Sequence, residues 1–205
     1  MATVAEPSAS LPPPRGAPFE VTSDLFFRMI ELGLIPGDRR VYLWSGGLCE
    51  KMAKTVAHAI GAIAIQEALR KRLPPGWLLW PENPIRLDAR HAPLPDIPVV
   101  RGSLDLYRRE NRHPEAGDVG LLVEVSVSSL AADLGEVLET FARALVPAYW
   151  VADVKGRRVI AHQNPRVIDG RGEYARVEPF GKGQEVPLVL DGVEVARIPV
   201  DELWP

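Results

Sequence analysis

The chain has 205 residues, 46% hydrophobic and 25% charged, with a formal net charge of -3. That length suits one well-buried domain, and the charge excludes a histone-like binder that neutralises phosphates by basic excess alone, though not a local basic groove. A single cysteine, Cys49, excludes an internal disulfide framework and a cysteine-based zinc site.

Residues 1–20, with the run Leu11-Pro12-Pro13-Pro14, read as a flexible Pro/Ala-rich tail, and residues 21–205 as one domain. The first residues carry neither an apolar stretch nor a basic start, so no signal peptide is expected. No run approaches about 18 apolar residues, so no membrane helix is expected. A reducing, cytoplasmic setting follows from the cysteine count.

Thr22 or Ser23 caps a short helix over about 23–32, with Asp24 in its first turn. Val41 to Glu50 reads as a hairpin turning at Ser45-Gly46-Gly47. Lys54 to Leu73 is a long helix, Ala/Ile-rich on more than one face and so expected to be largely buried. Pro74-Pro75-Gly76 ends it. Short strands follow at 77–80, 85–87 and 97–100, and the charged stretch 102–118 reads as a loop. Residues 120–128 (GLLVEVSVS) have the pattern of a central strand buried on both faces. A helix over about 130–145 carries the stripe Leu130, Leu134, Val137, Leu138, Phe141 and Leu145. Strands at 148–153, 158–162, 174–177, 186–190 and 195–200 complete the chain. Strand–helix–strand implies a parallel pair, and the hairpins imply antiparallel neighbours. The class is α/β with a mixed sheet.

Glu124 is the residue that points to chemistry. Its strand neighbours are all apolar, and a carboxylate there costs several kcal/mol unless it is paired, protonated or bound to a cation. Asp96 opens another strand directly after Pro95. Two acids on adjacent strands can share Mg²⁺, which takes oxygen ligands and keeps several waters. The competing readings are an arginine that neutralises Glu124 and a turn role for Asp96. Glu50, at the end of the hairpin, is either a third acid or a solvated partner of Lys51.

The ordered segments PDIPVVRG (95–102), GLLVEVSVSSL (120–130), FARALVPAYWVAD (141–153) and EVPLVLDGVEVARIPVDEL (185–203) resemble the Uma family of putative restriction endonucleases, in the PD-(D/E)XK nuclease superfamily. The resemblance runs from about Val21 to Trp204. It implies a restriction-endonuclease-like mixed sheet flanked by helices, metal-dependent (Mg or Mn) cleavage of DNA, and a homodimer. It also implies a site built from Asp96, Glu124, an acid near the first hairpin or on the first long helix (Glu50 is the hairpin candidate) and a helix lysine.

The chain departs from that pattern. The helix lysine position is Val137, in Asp133-Leu134-Gly135-Glu136-Val137, and Tyr42 stands where a hairpin glutamate is usual. Of 24 basic residues only five are lysines. Lys51 and Lys54, at the hairpin–helix junction, could reach inward in its place. Arg143 lies six residues beyond Val137, on a different face, and Lys155 reads as a turn residue. His58, one turn beyond Lys54, either touches the site or packs as a structural histidine, while His91, His113 and His162 read as surface residues. Arg101, Arg108, Arg109, Arg112 and Arg143 form either a phosphate-facing rim or a mixed-charge solvated loop. If no cation replaces Val137, the expectation is a degenerate nuclease fold that binds nucleic acid or a partner.

Overall fold

The computed structural model describes residues 17–204, so most of the expected tail lies outside the described residues. The elements are α1 (Ser23–Glu31), β1 (Val41–Trp44), β2 (Gly47–Glu50), α2 (Val56–Arg70), β3 (Trp77–Leu79), β4 (Ile97–Arg101), α3 (Leu104–Glu110), β5 (Val119–Ser126), α4 (Leu130–Ala132), α5 (Leu138–Arg143), β6 (Ala148–Asp153), β7 (Arg158–Ile168), β8 (Arg171–Phe180), β9 (Glu185–Leu190) and β10 (Val193–Pro199).

Six strands make one sheet in the order β3-β4-β5-β6-β7-β8, while β1-β2 and β9-β10 are separate antiparallel hairpins. Only β5 and β6 run parallel within the sheet. The segment between them holds α4 and α5, as a parallel connection requires. The architecture is therefore mixed α/β, as read from the sequence.

Alternation along β5 divides the core. Leu121, Val123 and Val125 point to the face covered by α2 (Ala62, Ile65, Leu69) and by the β9-β10 hairpin (Val186, Leu188). Leu122 points to the other face, against Phe141 of α5 and Tyr149 of β6. On the α5 face, β8 approaches so closely that a Cβ at Gly172 would overlap the backbone at Arg143 and Glu139.

Four local expectations are corrected. The 102–118 stretch is not a loop throughout: Ser103 caps α3 by accepting from Leu106 N–H, and residues 116–118 form a 3₁₀ turn. The strand expected at 85–87 is reduced to a single bridge between Arg86 and Glu115. The helix expected over 130–145 is interrupted. Asp133–Val137 form a π turn in which Gly135 leaves helical geometry (φ -110°, ψ -106°). Finally, α2 is not buried all round, because Val56, Ile60 and Ile63 are exposed.

Candidate functional site

The ladder brings the two acids together. Strand β4 runs antiparallel to β5 with Ile97 opposite Val123, so the next position places Asp96 across from Glu124. Directly opposed residues on one face lie about 5 Å apart at Cβ. Glu124 shares the face of Leu122, toward α5, near the carboxyl end of β5. In open α/β sheets ligands bind outside the carboxyl ends of parallel strands, and here that end opens into a cavity of about 500 Å³.

Asp96 is buried and holds four partners. Its Oδ1 accepts from Lys51 Nζ at 2.8 Å and faces Lys54 Nζ at 3.3 Å. Its Oδ2 accepts from the Val125 N–H at 2.9 Å and meets His58 Nε2 at 2.9 Å. Burial opposes ionisation of Asp96. The His58 hydrogen bond and the Lys51 charge outweigh it, so this carboxyl lies well below the usual carboxylate range. An ionised carboxylate only accepts, so His58 Nε2 carries the shared proton. His58 Nδ1 is buried without a partner among the described residues.

Glu124 behaves oppositely. Burial raises its pKa well above the usual value, Lys51 opposes that, and the neighbouring charge of Asp96 adds to it. Like charges in one buried site cannot both ionise cheaply. The two acids therefore give up their protons unequally, Asp96 far more readily than Glu124.

Lys51 joins them. Its Nζ donates to Asp96 Oδ1, to Glu124 Oε2 at 3.3 Å and to the Leu94 carbonyl at 2.9 Å. Burial lowers its pKa, but the charges of Glu124 and Asp96 outweigh burial and leave it raised. Lys54 is paired with Glu82, and burial with the Arg40 and Lys51 charges lowers its pKa. Thr55 caps α2 by accepting from His58 N–H, which aims His58 at the same carboxylate.

The π turn forms the opposite wall. Val137 is half-buried and packs on the α5-side core, so no cation stands there. Asp133, buried, accepts from Ser129 Oγ at 2.6 Å; burial raises its pKa. Glu136 accepts from Trp44 Nε1 at 2.6 Å, which ties this wall to β1. Tyr42 also lines the cavity; burial and Cys49 raise its pKa.

Glu50 is not brought to the acids. It is exposed and pairs with Arg39 at 3.0 Å. Strand alternation sends it outward and lets the next residue, Lys51, turn in. The cation on Glu124 is a lysine, not the arginine of the structural reading. His91 and His162 are buried, not surface residues. Two arginines of the 102–118 segment face carboxylates: Arg108 meets Asp105, and Arg112 meets Glu110 and Asp118.

Asp96 and Glu124 are a donor pair fit for a hard divalent ion, since two hard oxygen donors already converge on one cation, the Lys51 ammonium. Among the described residues, no three His, Cys, Asp or Glu side chains form a preformed metal cage. An ion here would take its other ligands from water and substrate. None of the described helices is long and apolar enough to cross a membrane.

Residues 24–200 match the family described as Uma2, putative restriction endonuclease. No curated protein matches. Among solved structures, a putative nuclease of DUF820 from Anabaena variabilis ATCC 29413 superposes with a TM-score of 0.62 at 14% identity, covering 90% of this chain and 97% of that one. That likeness speaks for a nuclease-like fold, and the family match covers most of the chain: it belongs to the Uma2 family of putative restriction endonucleases.

Proposed function

We propose that this chain hydrolyses DNA phosphodiester bonds with a divalent metal, Mg²⁺ or Mn²⁺, held by Asp96 and Glu124. The observation that carries this is the pairing of the two acids across β4 and β5 at the mouth of the cavity, with one half-buried cation between them. When bound, the metal would polarise a phosphoryl oxygen and acidify a coordinated water. The chain's own groups divide the remaining work. Lys51 and Lys54 supply, from the β2–α2 junction, the positive charge missing at Val137, and stabilise the negative charge that builds on the phosphate. His58 fixes Asp96 in its ionised, oriented form. Trp44 and Glu136 hold the cavity walls together. The expected homodimer rests on resemblance alone and is measured by light scattering.

Plasmid nicking in Mg²⁺ or Mn²⁺ tests the proposal, with Asp96→Asn and Glu124→Gln run beside the wild type. Cleavage that both changes abolish supports it, and cleavage untouched by either removes the site. A second reading is favoured by Val137: a degenerate nuclease fold that binds nucleic acid or a partner without cutting. Inactive wild type with cleavage appearing in Val137→Lys would select that reading.

A further inference from the structure

We propose that Lys51 is the resident cation of the acid pair. A divalent ion and the Lys51 ammonium take Asp96 Oδ1 in turn, so metal entry turns Lys51 out of its seat. This rests on the metal-holding reading above.

A carboxylate offers about four acceptor sites, and Asp96 has four donors around them: three hydrogen bonds, from Lys51 at Oδ1 and from the Val125 N–H and His58 Nε2 at Oδ2, and the Lys54 ammonium 3.3 Å from Oδ1. A hard divalent ion on Oδ1, at about 2.1 Å, competes with the ammonium already there.

The four donors are not equally free. Val125 N–H is fixed in β5, and His58 stands on α2, oriented by its helix. Lys54 lies farther off, at 3.3 Å, and is already engaged by Glu82. Lys51, like Lys54, stands on the irregular segment between β2 and α2, beside the exposed Met52, and of the two it is the one that hydrogen-bonds Oδ1. It also contacts Glu124, so its Nζ stands between the two acids, where an ion bridging them would have to be.

The seat suits an ammonium. Its three N–H groups find three acceptors in Asp96, Glu124 and the Leu94 carbonyl. A well-satisfied ammonium is a competitor, and its displacement lowers the apparent affinity for metal. The backbone N–H of Lys51 remains tied to the Arg40 carbonyl at 2.9 Å. The displaced ammonium therefore stays near the cavity, where a substrate phosphate is a partner of the right charge. The acids would thus be neutralised at rest and charged with metal only during work.

Isothermal titration with MnCl₂ on the full chain tests this, comparing wild type, Lys51→Met and Lys54→Met, with a Lys51→Met/Asp96→Asn double variant as the site control. Lys51→Met is expected to bind Mn²⁺ about tenfold tighter than wild type, within the range usual for coupled ligands. Lys54→Met is expected to change less than about threefold. Equal or weaker binding in Lys51→Met, or an equal gain in Lys54→Met, overturns the inference while the metal site stands. No Mn²⁺ binding in wild type and Lys51→Met, or binding that survives Asp96→Asn, overturns the metal site itself. If Lys51→Met fails to fold, NMR of lysine Cε in the wild type decides: saturating Mg²⁺ shifts the Lys51 resonance if it is displaced, and leaves it unmoved if it is not.

Discussion

Replacing Lys51 by methionine keeps most of the side-chain volume and removes the charge between the buried Asp96 and the partly buried Glu124. Deleting one partner of a buried pair costs about 3–5 kcal/mol. Three features here reduce that. The Lys51 side chain is 25% exposed, Glu124 is disposed to stay protonated, and Asp96 keeps His58, the Val125 N–H and Lys54. The expected loss is therefore about 1–3 kcal/mol, which a domain of ordinary stability survives. Urea unfolding at neutral pH measures it from the midpoint at constant m. Adding Glu124→Gln to Lys51→Met should recover part of the loss, because the ammonium and the acid are coupled, and the double-mutant cycle gives that coupling directly. A Lys51→Met midpoint equal to wild type, or strict additivity in the cycle, would show that Lys51 is not neutralising the pair.

In metal-free protein, the Glu124 side-chain carboxyl ¹³C resonance should keep the protonated shift well above pH 4.5, and an ionised shift there refutes the assigned charge state. A raised acid binds more protons in the folded state than unfolded, so its contribution to stability falls as pH rises from about 4.3 toward its folded value. Glu124→Gln should flatten that decline. Asp96 has the opposite sign: its contribution is present above about pH 4 and drains as pH falls, so Asp96→Asn should flatten the acid limb of the stability curve. Glu50→Ala should leave cleavage unchanged and cost under about 1 kcal/mol, since it loses only an exposed pair with Arg39; a large loss of cleavage would return Glu50 to the site. Gly172→Val should destabilise by at least about 1–3 kcal/mol by forcing β8 off α5, read as a lowered thermal midpoint.

The two acids were legible because each breaks a strong local rule. Glu124 interrupts an apolar strand, and Asp96 follows a proline at the start of one. Their pairing was not legible, since register between β4 and β5 depends on the whole sheet. Lys51 was hard to single out because a charged residue at a hairpin–helix junction usually faces water. The available signal was scarcity: two of only five lysines stand within four positions, just before His58. Glu50 misled because alternation beyond the hairpin decides which of two adjacent residues turns inward. The interrupted helix was hidden because Val137 continues an apolar stripe, and Gly135 alone does not announce a π turn. For α3, the charged composition of 102–118 masked a serviceable cap at Ser103.

A crystal of the wild-type protein soaked in Mn²⁺ and measured at the manganese edge tests the central claim most directly. An anomalous peak is expected within coordination distance of both the Asp96 and Glu124 carboxylates, with the Lys51 ammonium turned away. An empty position there, with Lys51 still bridging the two acids in saturating Mn²⁺, would contradict it.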